Sequence, residues 1–242
     1  MKPFFLIFLL MISFSFKDDQ LKNTRVKTAY AEKETVVKKY FQELKLSYAG
    51  FHLFLRAFKE EQNLEVWIKE KDKEEFVLLH TYAFCSSSGT LGPKRKEGDL
   101  QIPEGIYTVN HFNPLSNFYL SLGVSYPNAS DNILSDKKHP GGSIYIHGNC
   151  VTIGCIPITD DKIKELYVLA VEAKNNGQEK IPIHIFPDRL DMGTPEKLAG
   201  DYAANENVAA FWRNLQPVYL DFKTTKKLKS VSVNAKGEYQ LK

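Results

Sequence analysis

The chain has 242 residues, 43% hydrophobic and 25% charged, with 32 Lys+Arg against 29 Asp+Glu and a net charge of +3. This composition supports an apolar core and excludes disorder over most of the length. A charge this small, with both signs interspersed, excludes the basic footprint of a nucleic-acid-binding protein.

Residues 1–16 (MKPFFLIFLLMISFSF) place Lys2 ahead of an apolar run from Pro3 to Phe16. The run is shorter than the about 20 residues a membrane span needs, and it predicts a secretory signal peptide with no transmembrane segment after its removal. Ser13-Phe14-Ser15 and Ala29-Tyr30-Ala31 both fit a small-x-small cleavage site. Export to the periplasm would put Cys85, Cys150 and Cys155 in an oxidising compartment. One pair, such as Cys85 with Cys150, can then close and leave a thiol for chemistry; three buried small hydrophobes are the alternative.

Apolar residues at Val36, Val37, Tyr40, Phe41 and Leu44 recur at helical spacing and predict an amphipathic lead-in helix within residues 32–50. From residue 51 the pattern changes to β-type runs, FHLFLRAF, LEVWIKE and FVLLHTYAF, which read as antiparallel strands. Residues 85–104 are loop chemistry, rich in Ser, Gly, Pro and charge, and a loop of that length in a compact domain is usually functional. Strands follow at GIYTVNHF, NFYLSLGVSY and SIYIHG, with a Pro/Asn/Asp/Gly-rich excursion over 127–142. Thr159-Asp160-Asp161 forms an N-cap cluster for a helix that ends at Asn176-Gly177, and IPIHIF is a further strand. Residues 188–242 predict a helix over 208–222 and a hairpin at SVSVNAKGEYQL. The fold class is mainly β with added helices, α+β.

The chemistry concentrates in residues 144–157, IYIHGNCVTIGCIP. A strand delivers His147 onto Gly148, and Gly154-Cys155 sits just before a helix. A nucleophilic cysteine needs a base, a field that favours thiolate and N–H donors for an oxyanion. His147 is the candidate base, and the Gly148 carbonyl can orient its ring as an Asp or Asn does elsewhere. Gly154 permits a tight turn that turns the N–H groups around Cys155 toward a substrate carbonyl.

Three other readings exist. His147, Cys150 and Cys155 make half of a zinc site without a fourth ligand at metal-like spacing. A structural His and a buried thiol would be the default for either residue alone. Ser86, Ser87 and Ser88 lack a G-x-S-x-G elbow. No metal or organic cofactor is expected.

The His-Gly pair followed by Thr-x-Gly-Cys resembles the signature of the L,D-transpeptidase catalytic domain (YkuD type). The phrases SSGTLGPKRKEGDLQIPEGIYTV, LSLGVSYPNASD, HGNCVTIGC and IPIHIFP resemble its YafK-like branch. The resemblance spans residues 51–187 and implies a β-sandwich catalytic domain there, with 188–242 as a C-terminal extension. It implies that Cys155 attacks a peptidoglycan stem peptide at the L-centre carbonyl of the third residue, forming a thioester. His147 would then be general base and acid, with Gly148 orienting it and the Gly154 and Cys155 N–H groups forming the oxyanion hole. Lys94, Tyr126, Asn128 and Thr152 are candidate substrate contacts, although Lys94 lies in a charge run and Tyr126-Pro127-Asn128 is also ordinary turn chemistry.

Two positions depart from the family pattern. Ile153 stands where a second His is usual, and Pro157 where an Arg is usual, so substrate binding is arranged differently. Because the branch includes enzymes that cut a wall-attached lipoprotein from peptidoglycan, amidase or hydrolase activity is the alternative to transpeptidation. A non-catalytic wall-binding module is a third reading, favoured if Cys155 were bonded to Cys150.

Overall fold

The computed structural model describes residues 15–201 and 206–242. Residues 1–14 of the expected signal peptide lie outside them. No helix among the described residues is long and apolar enough to cross a membrane.

The lead-in helix starts earlier than its apolar pattern suggests and ends sooner. A short α1 (Phe16–Gln20) precedes α2 (Thr24–Glu43), whose N-cap Asn23 accepts the Arg25 N–H at 2.9 Å. Val26, Ala29 and Tyr30 extend the buried stripe of Val37 and Phe41 by two turns. The second small-x-small site, Ala29-Tyr30-Ala31, therefore sits inside a packed helix. Lys45, at φ 55°, follows the end of that helix.

Eight strands form one sheet in the order β3-β2-β1-β8-β4-β5-β6-β7. Strands β1 (Phe51–Phe58), β2 (Asn63–Glu70) and β3 (Val77–Ala83) make the predicted antiparallel run. Strand β8 (Pro182–Phe186) inserts parallel to β1, so β1 is paired on both sides, which explains why it reads as almost continuously apolar. The expected sandwich is a single curled sheet that turns at β4 (Gly105–Asn113). Its first half, Gly105 to Thr108, pairs with β8, and its second half pairs with β5 (Ser121–Val124). Beyond lie β6 (Tyr145–His147) and the two-residue β7 (Ile156–Pro157).

The alternation of side chains sends Leu53, Leu55, Ala57, Ile183 and Ile185 to a core shared with α2 and α4 (Thr159–Asn175). It sends Phe58 and Phe186 to the opposite face, where α6 (Glu206–Thr225) covers them with Phe211, Trp212, Leu215 and Tyr219. The expected 208–222 helix is thus longer, and α5 (Thr194–Asp201) precedes it. The terminal hairpin is β9 (Val231–Val233) with β10 (Tyr239–Leu241). Within the 127–142 excursion, α3 (Ala129–Leu134) forms on a capping box between Asn128 and Asp131.

The expected N-cap cluster Thr159-Asp160-Asp161 is instead the first turn of α4, whose N-cap is Ile158 with no side-chain cap bond, and its three side chains divide their work. Thr159 Oγ1 accepts the Lys162 N–H at 3.4 Å, Asp161 pairs with Lys33 of α2, and Asp160 Oδ1 accepts the Asn149 N–H at 2.7 Å. That last bond ties the start of the helix to the loop after His147.

Candidate active site

His147 ends β6, where Ser121 of β5 and Pro157 of β7 flank it. Its ring is 1% exposed and stacks on Phe118 at 4.5 Å between centroids. Nδ1–H donates to the Gly148 carbonyl, which fixes the tautomer and leaves Nε2 as the atom with a lone pair. Nε2 is buried and has no hydrogen-bond partner among the described residues. Burial holds the imidazole below its ordinary value of 6.5, and the Gly148 carbonyl opposes this. Gly148 has room for nothing larger: a Cβ there would meet Asp160 Oδ1 and come within 2.8 Å of the Phe118 carbonyl.

The parallel register of β6 and β7 pairs Ile146 with Ile156 and His147 with Pro157. One step back, Cys155 lies in the bend directly before β7, beside Tyr145 of β6, whose N–H faces it. Cys155 is a free thiol, because Cys85 and Cys150 form a disulfide. The disulfide removes Cys150 from any His147-Cys150-Cys155 metal set, and no group of three or more His, Cys, Asp or Glu among the described residues could hold a metal ion. The Cys155 Sγ–H points to the Ser143 carbonyl at 3.7 Å rather than to His147. Burial pushes the thiol up, opposed by the Tyr145 N–H and by the Lys94 charge.

The turn before Cys155 explains Thr152. Its Oγ1 accepts the N–H groups of Gly154 (3.2 Å) and Cys155 (2.8 Å) and donates to the Cys155 carbonyl (2.8 Å). Thr152 thus occupies the two N–H groups that the sequence pattern assigns to an oxyanion. Gly154 sits at φ 131°, and a Cβ there would lie 3.0 Å from the Gln101 carbonyl.

Lys94 is close to this centre but is not free. It is 4% exposed and donates to Asp99 Oδ1 (2.6 Å) and to the Lys96 carbonyl (2.9 Å). Tyr126 donates to the Pro140 carbonyl at 2.8 Å and has the Lys94 ammonium 6.0 Å from its ring centroid. Asn128 lies elsewhere: it caps α3 and donates to the Ile106 carbonyl (2.9 Å) and Tyr239 hydroxyl (2.8 Å).

The loop of residues 85–104 is held by a buried clamp that has no signal in the motif. Glu104 is fully buried and accepts from Lys59 Nζ (2.8 Å), the Gly92 N–H (2.7 Å) and Trp212 Nε1 (2.7 Å). Lys59 also donates to the carbonyls of Gly92 and Ile102. Phe118, the stacking partner of His147, is likewise invisible to spacing arguments, since its neighbours Asn117 and Tyr119 read only as strand.

This is a histidine at the end of one strand and a cysteine in the turn just before the neighbouring parallel strand, beside a glycine carbonyl, in an α+β fold built on one curled sheet. The chain matches the family model of the L,D-transpeptidase catalytic domain (YkuD) over residues 55–195, and it belongs to that family. It is 34% identical over 206 residues to YafK of Escherichia coli (strain K12), a protein provisionally named an L,D-transpeptidase. That alignment covers 84% of this chain and 78% of YafK. Among solved structures it is similar to the helical cell shape determining protein Pgp2 from Campylobacter jejuni, with a TM-score of 0.45 and 16% identity over 76% of this chain and 73% of Pgp2. It is also similar to Bd1075 of Bdellovibrio bacteriovorus, with a TM-score of 0.41 and 24% identity over 71% and 62% of the two chains.

Proposed function

We propose that this protein is an exported cysteine acyltransferase that acts on peptidoglycan stem peptides through a thioester at Cys155. The observation that supports this reading is the buried Nε2 of His147, without a hydrogen-bond partner among the described residues, at the end of β6, with the free Cys155 directly before the paired strand β7. An orphaned lone pair in a buried site is costly unless something uses it.

Cys155 and His147 are both held toward their neutral forms, so the thiol must give up its proton as it attacks. A rotation of the Cys155 side chain from Ser143 toward His147 lets Nε2 take that proton. The Sγ–C bond forms, the carbonyl π pair moves onto oxygen, and the oxyanion takes over the Gly154 and Cys155 N–H groups from Thr152. Collapse breaks the C–N bond, Nε2–H protonates the departing amine, and a thioester remains. An acceptor amine then gives transpeptidation, and water gives hydrolysis. No step calls for a metal or organic cofactor.

Export is supported by the Cys85–Cys150 disulfide, a bond that persists in oxidising compartments such as the periplasm.

Full-length mature protein and its Cys155→Ala variant, incubated with sacculi and tetrapeptide muropeptides, give the test by mass spectrometry. Cross-linked products with D-alanine release, dependent on Cys155, are the expected result. Release of tripeptide stems or of a wall-linked lipoprotein without new cross-links would assign a hydrolase. No Cys155-dependent product would leave a wall-binding module.

A further inference from the structure

A cleft of about 770 Å³ opens between residues 91–101, the first turns of α6 and the β9–β10 turn. Its volume falls in the range of small-ligand sites. Leu91, Val208 and Phe211 give it an apolar floor, and Gln101 and Asn214 bring amide groups to its wall.

The charges in the wall are unequal in their availability. Asp99 accepts from Lys94 Nζ and from the N–H groups of Arg95 (2.8 Å) and Lys96 (3.0 Å), and Glu238 accepts from Asn234 Nδ2 (2.7 Å). Arg95 donates to Asp131 Oδ1 at 3.1 Å and stacks over Phe211. Lys96 and Lys236, one on each side of the cleft, are exposed. Asp99 is neutralised by Lys94, whereas Glu238 is exposed and held by a neutral amide, so the cleft presents the two cations Lys96 and Lys236 and one carboxylate above an apolar floor.

The cleft shares a wall with the reaction centre. Gln101 lines it, and the Gln101 carbonyl lies against Gly154, the residue before Cys155. Lys94, in the same segment, is near enough for its charge to favour the Cys155 thiolate.

We infer that this cleft is a subsite for the carboxylate-bearing part of a peptidoglycan stem peptide, held by Lys96 and Lys236 while the scissile carbonyl lies at Cys155. The inference rests on the proposed acyl transfer at that centre. A stem peptide is a short chain of small residues with several free carboxylates, which matches an apolar floor flanked by cations.

The test uses the full chain with Cys155→Ala and a synthetic stem tetrapeptide, with a fully carboxyl-amidated analogue as control, read by calorimetry. Lys96→Glu with Lys236→Glu should weaken tetrapeptide binding about ten-fold, the size expected of two exposed charge contacts reversed, and leave the amidated analogue unaffected. Hydrogen exchange should show protection of residues 206–211 and 234–238 when the tetrapeptide is added. In the Cys155-intact protein the same two substitutions should raise KM more than they lower kcat. Equal binding by both forms, with no protection at the cleft, overturns the subsite. If thioester formation is seen but the substitutions change neither binding nor KM, the subsite falls and the acyl-transfer reading stands. If binding depends on the lysines but no thioester forms, the subsite stands and the acyl-transfer reading falls.

Discussion

The Nδ1–H of His147 donates to the carbonyl of Gly148, its own neighbour in the chain. A single peptide unit thereby orients the ring as a separate carboxylate or amide does in nucleophile–base pairs. A neutral carbonyl orients the ring without adding negative charge. Burial therefore dominates, and the imidazole stays below its ordinary 6.5.

That sets the pH dependence. In the proposed mechanism His147 can act as base only when neutral, so kcat/KM should rise with pH through a midpoint below 6.5 and level off thereafter. The Cys155 thiol, pushed above its ordinary 9.0, should be alkylated by iodoacetamide slowly at neutral pH and fast only above that value. Fast alkylation at pH 6 would instead reveal a preformed thiolate–imidazolium pair.

The two residues should also separate by substitution. His147→Ala should cost about 10²- to 10⁴-fold in turnover, the range for losing a general base. Cys155→Ala should abolish the covalent adduct altogether. Intact-mass spectrometry of the trapped thioester checks both.

Sequence periodicity made the sheet legible because its strands are short, apolar and bounded by Gly, Pro and charge. The motif at residues 147–155 was legible because glycines, a histidine and a cysteine have no common structural reason to coincide. Spacing could not reveal that Thr152 caps the Gly154 and Cys155 N–H groups, since a hydroxyl takes its partner from backbone geometry. Nor could it show that Asn128 faces Tyr239, a contact 111 positions away. Lys94 read as part of a solvated charge run, yet the fold buries it against Asp99.

The disulfide joins the start of the 85–104 loop to the loop that carries Cys155. Replacing both Cys85 and Cys150 by Ser should lower stability by up to about 4 kcal/mol, from the 65-residue separation it closes. Most turnover should survive at 25 °C, because both sulfurs are consumed in the disulfide and take no part in the proposed acyl transfer. Urea unfolding beside the activity assay checks this, and loss of activity with an unchanged unfolding midpoint would assign Cys150 a direct role.

Asp131 gives stability a second pH dependence. It is fully buried, accepts from Tyr107, Arg95 and the Asn128 N–H, and burial pushes its carboxyl up to about 6. The folded protein therefore binds more protons than the unfolded chain between the ordinary 3.8 and about 6. Stability from this group is present below that window and lost as pH rises through it, by on the order of 3 kcal/mol. Asp131→Asn should flatten that part of the curve, measured as urea unfolding at pH 4.5 and pH 7.

Glu104 supplies the sharpest test of how the fold holds the site. Every group around its carboxylate is a donor: Lys59 Nζ, the Gly92 N–H and Trp212 Nε1. Glu104→Gln conserves shape, but its NH₂ must face a donor, and the buried Lys59 ammonium loses its counter-charge. Breaking a buried pair from one side costs about 3–5 kcal/mol, and that is the loss expected in urea unfolding. Adding Lys59→Met to Glu104→Gln should recover part of it, because the unpaired charge is then gone. The catalytic consequence follows from where the clamped segment leads. Gln101 braces Gly154 and Lys94 acts on the Cys155 thiol, so Glu104→Gln should lower kcat and slow Cys155 alkylation even under conditions where the variant remains folded.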